Sequence, residues 1–369
     1  MAAAKVYPIN QSPLYKLTSK RRLADVLQIS LADLLFIAGL EENYREWELK
    51  QKRQEQLAGL KPPSKPRMIQ QPKAVMNAVQ KRLAGMLSRV AKPEFVYSAT
   101  KARSYFDNAD AHRSQLPAVK IDIKDFYRSV KQKAVKDFFE REMRCEPDVA
   151  HLLAKLCCVR GFLPTGGPIS PVLSYFACSP MFRRIASAAD ESGLTFTLYV
   201  DDMVFSGKGA DRDFLKKIWR DLSANKLIGH KIAYFAPNQP KIITGAAVFA
   251  DRIEIPYKRQ NRIRFFERAF WRTQDPDEIA LLGKTLLGQY REAERVQAGS
   301  RARAKPIQER IDATRALRFA DLTEVAVVKP KPRRRKVVLK RSKKLLKSLR
   351  ETVSALRTER LAGVSTPTS

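Results

Sequence analysis

The stretch Phe196-Thr197-Leu198-Tyr199-Val200-Asp201-Asp202-Met203-Val204-Phe205-Ser206 decides the reading of this chain. Its flanks are rich in β-branched and aromatic residues, as strands are, and two adjacent carboxylates stand where a tight turn would fall. The pattern predicts a β-hairpin with Asp201-Asp202 as its two-residue connection. Paired negative charge near an apolar hairpin is costly unless a cation compensates it, which points to a divalent metal. A solvated Asp-Asp surface turn is the plain alternative, and four residues alone do not separate the two.

Upstream, Ala118-Val-Lys-Ile-Asp-Ile-Lys-Asp-Phe-Tyr-Arg-Ser-Val130 predicts a short strand with Asp122 at its end, then a turn into a helix beginning near Arg128. Asp125 is read as the cap of that helix. Asp122, Asp201 and Asp202 together form the set that two-metal nucleotidyl transfer requires. There, acidic oxygens hold two Mg²⁺ ions about 3.5–4 Å apart, one activating a 3′-hydroxyl and the other bridging the triphosphate. Between the acid segments, Gly161-Phe-Leu-Pro-Thr-Gly-Gly-Pro-Ile-Ser-Pro171 combines prolines that stiffen with glycines that let backbone approach a substrate, and it opens into an apolar helical stretch from Val172 to Ala189.

In this order the segments resemble the reverse transcriptase family. Asp122 matches its first palm acid, residues 163–171 its Leu-Pro-Gln-Gly-x-Pro-x-Ser-Pro element, and Tyr199–Asp202 its Tyr-x-Asp-Asp box. Asn108-Ala109-Asp110-Ala111-His112 matches a segment typical of retron reverse transcriptases, and Ile243-Thr244-Gly245 resembles their Val-Thr-Gly. The resemblance runs from about residue 14 to residue 320. Thr165 stands where the family usually has Gln, Val200 where retrons most often have Ala, and Ile243 where Val is usual; none of these removes a metal ligand.

The resemblance implies an α+β chain of right-hand polymerase architecture, with helical fingers (1–90), a split βαβ palm carrying the acids (91–250), thumb helices (251–328) and a basic C-terminal tail (329–369). Residues 14–90 are read as helical, with a charged linker at about 50–67. The implied activity is a retron reverse transcriptase that copies a structured non-coding RNA into DNA, starting from the 2′-hydroxyl of a guanosine and leaving a branched product, in anti-phage defence beside an effector protein. It would use deoxynucleoside triphosphates and two Mg²⁺ ions, with Mn²⁺ as a substitute. By the same resemblance Lys65 and Arg67 grip the triphosphate, Tyr127 packs under the sugar and excludes a 2′-hydroxyl, and Thr165 and Gly166 line the substrate site. Asn108, His112, Thr244 and Gly245 are expected at the RNA. The rival readings are another bacterial reverse transcriptase, of group II intron or diversity-generating type, and a basic RNA-binding scaffold that holds an effector silent.

Charge points the same way independently. With 70 Lys and Arg against 38 Asp and Glu, the 369-residue chain carries a formal +32, the footprint of a polyanion binder. Lys329 to Arg350 supplies twelve of these charges and no acid, yet +20 remains on the rest, so the body must also be basic. Val338, Leu345, Leu346, Leu349, Val353 and Leu356 give the tail near-heptad apolar spacing. No apolar run of about 18 residues and no signal-peptide pattern occurs, so a soluble cytoplasmic protein without membrane contact is expected. The four cysteines lack zinc-site spacing, and Cys157 and Cys158 are read as reduced apolar residues of a palm helix.

Overall fold

Helices α1 (Lys20–Leu27) and α2 (Leu31–Gly39) each follow a serine whose hydroxyl accepts a backbone N–H of the first turn, Ser19 from Arg22 and Ser30 from Asp33. These and all later elements come from a computed structural model, which describes residues 6–62 and 67–323. Strand β1 (Tyr44–Glu48), helix α3 (Arg53–Leu57), strand β2 (Met68–Pro72) and helix α4 (Ala74–Leu87) follow. The expected charged linker is therefore partly structured: β1 and β2 pair antiparallel, and α3 sits between them in sequence. On α4 the buried Val75, Val79, Leu83 and Leu87 recur at helical spacing.

The centre runs α5 (Tyr105–Asp110), β3 (Ala118–Ile123), α6 (Phe126–Ser129), α7 (Gln132–Asp137), α8 (Pro147–Cys157), α9 (Ser170–Ala177), α10 (Ser179–Glu191), β4 (Thr195–Tyr199), β5 (Asp202–Ser206), α11 (Arg212–Ala224) and β6 (Gly229–Phe235). The stretch expected as one helical run from Val172 divides into α9 and α10 at Cys178. Four strands form one sheet in the order β4-β5-β3-β6, every neighbour antiparallel. On β3 the alternation is strict: Val119, Ile121 and Ile123 are buried in the main core, while Lys120 and Asp122 share the opposite face. That face is where the chemistry lies.

Strands β7 (Lys241–Ile243), β8 (Ala246–Val248) and β9 (Ile253–Glu254) make a second small sheet, followed by α12 (Tyr257–Arg272), α13 (Pro276–Ala293) and α14 (Ala304–Thr323). The last helices bury Phe266, Phe270, Leu282, Leu286 and Tyr290 in a separate core, which Ala58 joins together with Leu57 and Leu60 from the segment around α3. Arg262 of α12 pairs with Glu55 of α3 at 2.5 Å. The α13–α14 approach is close enough that a Cβ on Gly283 would meet Ile311 Cδ1 at 2.5 Å. Cys145, Cys157, Cys158 and Cys178 are all unpaired, the first three buried, as apolar packing of reduced thiols requires. Among the described residues no helix is long and apolar enough to cross a membrane. The basic tail lies outside the described residues.

Candidate active site

Asp122 on β3 is the direct cross-strand partner of Asp202 on β5, and on its other side it faces His230 of β6. Opposed residues in an antiparallel pair have Cα atoms about 4.5–5.5 Å apart, so segments eighty residues distant in sequence bring two acids together. The third acid sits in the hairpin turn. β4 ends at Tyr199, which pairs with Asp202, so the two-residue connection is Val200-Asp201 instead of the expected Asp201-Asp202. Val200 takes a left-handed φ of 61°, which is strained for a β-branched residue. The Asp201 carbonyl accepts the Ile123 N–H at 2.9 Å, fixing the turn to the end of β3.

The carboxylates are only partly compensated. Asp122 meets His230 Nδ1 at 2.9 Å and Lys231 Nζ at 3.3 Å, and Asp202 Oδ2 meets Lys120 Nζ at 3.1 Å. Burial, then the charge of Asp122 and to a lesser degree that of Asp202, pushes the Asp201 carboxyl up to about 6. Burial also raises Asp202, against the pull of Lys120. Asp202 Oδ1 is buried with no hydrogen-bond partner among the described residues. An orphaned carboxylate oxygen beside two further acids is a hard-oxygen donor set of the kind Mg²⁺ takes, and such an atom is costly to leave unpaired. Among the described residues no three acid, His or Cys side chains already converge as a metal cage, because Asp122 and Asp202 are turned toward their own cations. The residues fit a divalent ion in kind: Asp122, Asp201 and Asp202 would hold it once the first and last turn away from Lys231 and Lys120, their present counter-charges.

Residues 51–232, which contain all three acids, match the family model described as "Reverse transcriptase (RNA-dependent DNA polymerase)". The chain is 28% identical over 211 residues to the Retron Ec86 reverse transcriptase of Escherichia coli, covering 55% of this chain and 65% of that protein. It is 27% identical over 216 residues to the Retron Mx162 reverse transcriptase of Myxococcus xanthus, covering 52% and 42%. This segment is similar to reverse transcriptases, and the relatives it matches are retron enzymes. Its matches span no more than 65% of the length of these relatives. A foamy viral protease-reverse transcriptase solved with an RNA/DNA hybrid is more distant, 13% identical at a TM-score of 0.42 over 95% of this chain and 40% of that one.

Tyr127 lies close enough to feel the acids: burial first, then the charge of Asp201, raises its hydroxyl to about 12. Thr165 N–H donates to Gln70 Oε1 at 3.0 Å, and Gln70 N–H donates back to the Thr165 carbonyl at 2.8 Å. The β1–β2 hairpin is thereby bonded to the Pro-Gly loop. Gly166, exposed at φ 119°, passes so near that hairpin that a Cβ would meet Ile69 Cγ2 at 2.9 Å. Arg67 is exposed immediately before β2, and Lys65 lies outside the described residues.

Two expectations change. Asn108 and His112 are fully buried, so direct RNA contact by either side chain does not fit this structure. Neither amide atom of Asn108 has a partner among the described residues, and His112 is bonded to two hydroxyls of the β4–β5 hairpin. Thr244 and Gly245, both at positive φ, form the two-residue turn between β7 and β8; the Thr244 hydroxyl is bonded to the Tyr105 carbonyl, and Gly245 is exposed. Asp125 precedes α6 in a left-handed conformation and makes no side-chain capping bond. Its backbone geometry differs from the extended Ncap that would aim the carboxylate at the helix.

The sequence reading missed Lys120, His230 and Lys231. Lys120 carried a signal, since a residue two before Asp122 on a strand shares its face. His230 and Lys231 carried none, because they reach Asp122 only through a β3–β6 register that shifts between Lys120 and Asp122.

Proposed function

We propose that this protein copies a structured non-coding RNA into DNA from deoxynucleoside triphosphates, in the retron manner, with synthesis starting at a guanosine 2′-hydroxyl and leaving a branched RNA–DNA product. The observation that carries this reading is the in-register opposition of Asp122 and Asp202 beside Asp201 on one sheet face. Two Mg²⁺ ions, or Mn²⁺ in their place, would supply charge stabilisation of the attacking and leaving oxygens. The chain's own part is to hold the three carboxylates. Tyr127 is assigned to the sugar pocket and Arg67, with Lys65, to the triphosphate, since a guanidinium fork suits phosphate oxygens. Fingers, palm and thumb are assigned to residues 1–90, 91–250 and 251–328.

RNA contact is assigned to exposed groups: Gly245 at the β7–β8 turn and the α12 surface, where Arg264, Phe265, Arg268, Trp271 and Arg272 face solvent. Folded RNA is recognised through phosphates, 2′-hydroxyls and stacked bases, which such a mixture offers. A role in anti-phage defence beside an effector, in the cytoplasm, completes the reading.

The test is expression of the protein from its native genomic segment, flanking DNA included, and analysis of co-purified nucleic acid. A DNA strand joined to RNA through a 2′–5′ bond that debranching enzyme cleaves, and that is lost in Asp201→Ala/Asp202→Ala, supports the proposal. DNA lacking the branch points to another class of reverse transcriptase. RNA binding without DNA, in parent and variant alike, points to a scaffold.

A further inference from the structure

His112 stands between the two strands that carry the catalytic turn. One ring nitrogen lies 2.7 Å from Ser206 Oγ on β5 and the other 2.7 Å from Thr197 Oγ1 on β4. All three side chains are buried. Burial, with Lys241 nearby, holds the imidazole neutral. A neutral ring has one N–H donor and one acceptor, so it gives a hydrogen bond to one hydroxyl and takes one from the other. Thr197 stands four residues before Asp201, and Ser206 four residues after Asp202.

His112 is itself held from behind. Lys241 Nζ, almost wholly buried, donates to the carbonyls of His112 (3.1 Å) and Ser114 (2.6 Å) and to Ser114 Oγ (3.2 Å). At the other end of the same segment, the Tyr105 carbonyl accepts from Thr244 Oγ1 at 2.8 Å. The Tyr105 hydroxyl is bonded to Glu292 of α13 and to Arg259 of α12. A small core joins Phe106 and Ala109 of α5, Ile243, Ala246 and Val248 of the second sheet, and Val204 of β5, two residues beyond Asp202. One continuous set of contacts therefore runs from the thumb helices through Tyr105 and His112 to the strands bearing Asp201 and Asp202.

We propose that His112 is a positioning residue for metal binding: by tying Thr197 to Ser206 it fixes the β4–β5 hairpin so that Asp201 and Asp202 share an ion, and Tyr105 links that setting to the thumb. The inference rests on the catalytic reading above. The need for such a clamp follows from local geometry. The turn contains a strained Val200, and the hairpin strands are five residues each. Carboxylates sharing ions must nevertheless be held to within about 0.5 Å.

The test measures Mn²⁺ affinity of the full chain, free of nucleotide, by the electron paramagnetic resonance of unbound Mn²⁺. Asp201→Ala/Asp202→Ala defines the signal that belongs to the acids. Thr197→Val, Ser206→Ala and His112→Ala are expected to weaken that component by about tenfold, the low end for outer-sphere changes, with His112→Gln recovering part of it because an amide keeps a donor and an acceptor. RNA affinity should not change. Tyr105→Phe combined with Thr197→Val should depart from additivity, as residues acting through one contact path do. Melting temperature is followed alongside, and affinity is scored on the folded fraction. Lower melting temperatures with unchanged Mn²⁺ affinity would mean that His112 is only a packing residue, overturning this inference alone. Absence of acid-dependent Mn²⁺ binding in the parent protein overturns it together with the catalytic reading.

Discussion

Asp122 and Asp202 oppose one another across β3 and β5, yet each carboxylate is drawn toward its own lysine, Lys231 for Asp122 and Lys120 for Asp202. The sheet thus brings three acids to one place and supplies too few cations to neutralise them. Asp201 has no ion-pair partner among the described residues and carries the result, a carboxyl held at about 6. A divalent ion would meet both needs, compensating Asp201 and giving Asp202 Oδ1 the partner it lacks.

The metal-free protein should record this in its stability. A carboxyl raised from 3.8 to about 6 binds its proton more tightly folded than unfolded. Its favourable contribution is present below pH 3.8 and is lost as pH rises through about 6. The loss is at most about 3 kcal/mol, from about 1.4 kcal/mol per pKa unit. Asp201→Asn removes it. In denaturant melts without metal the variant should exceed the parent in stability above pH 6 and converge with it near pH 4. Millimolar Mg²⁺ should narrow the gap by stabilising only the parent. A gap that does not vary with pH would refute the charge argument.

His112 gives the opposite slope. Its imidazole is lowered from 6.5 to about 3 by burial, so the unfolded chain binds the proton more readily. The stability that depends on a neutral ring is complete above pH 6.5 and is lost as pH falls toward 3, by about 2 kcal/mol at pH 5. His112→Gln cannot titrate, so the stability difference between parent and variant should shrink steadily from pH 7 to pH 5. Chemical denaturation at several pH values reads this directly, and a constant difference would show that the ring is not held neutral by the fold.

The acid-bearing strands were legible because β3 and the β4–β5 hairpin alternate or run apolar over several residues and their acids break the pattern. The turn itself was read one residue late, since Asp202 already pairs as a strand residue with Tyr199. The β1–β2 hairpin was not legible: Tyr44–Glu48 is mostly exposed and polar, so it lacks a period-two apolar signal. Helix α3 read as a linker because Arg-Gln-Glu-Gln-Leu is charged, and only its packing against the core of α12 and α13 gives it a reason to be helical. Asn108 and His112 were expected at the RNA through the resemblance of their segment to the family's, and such a match says nothing about burial. Their burial is decided by β4, β5 and β7, far away in sequence, which no local pattern encodes.

Gly166 brings the Pro-Gly loop close against the β1–β2 pair. At φ 119° an alanine is strained by about 1–3 kcal/mol, and its Cβ would press on Ile69 Cγ2 at 2.9 Å and on the Gln70 carbonyl at 3.2 Å. Relief requires the hairpin to move away, breaking the paired Gln70–Thr165 bonds. Gly166→Ala should therefore lower the efficiency of nucleotide incorporation roughly ten- to a hundredfold, as small displacements of a substrate site do, with RNA affinity retained. Steady-state incorporation kinetics and a filter-binding assay separate the two effects, and loss of RNA binding in parallel would indicate general misfolding instead.

On α12, Arg264, Arg268 and Arg272 follow one another at four-residue spacing and face solvent, with Phe265 and Trp271 exposed beside them. None of the three arginines is in an ion pair among the described residues, whereas Arg262 on the neighbouring face is held by Glu55. Guanidinium groups outside ion pairs, interleaved with exposed rings, can neutralise phosphates and stack on bases. Each phosphate contact removed should reduce the slope of log affinity against log salt by about 0.7–0.9. Arg264→Gln/Arg268→Gln should thus weaken RNA binding at low salt and flatten its salt dependence by one to two such steps, without lowering the melting temperature. Arg262→Gln should behave in the reverse way, lowering the melting temperature slightly through the lost Glu55 pair while leaving the salt slope intact. Titrations at several salt concentrations read both slopes, and an unchanged slope for the double variant would remove α12 from the RNA surface.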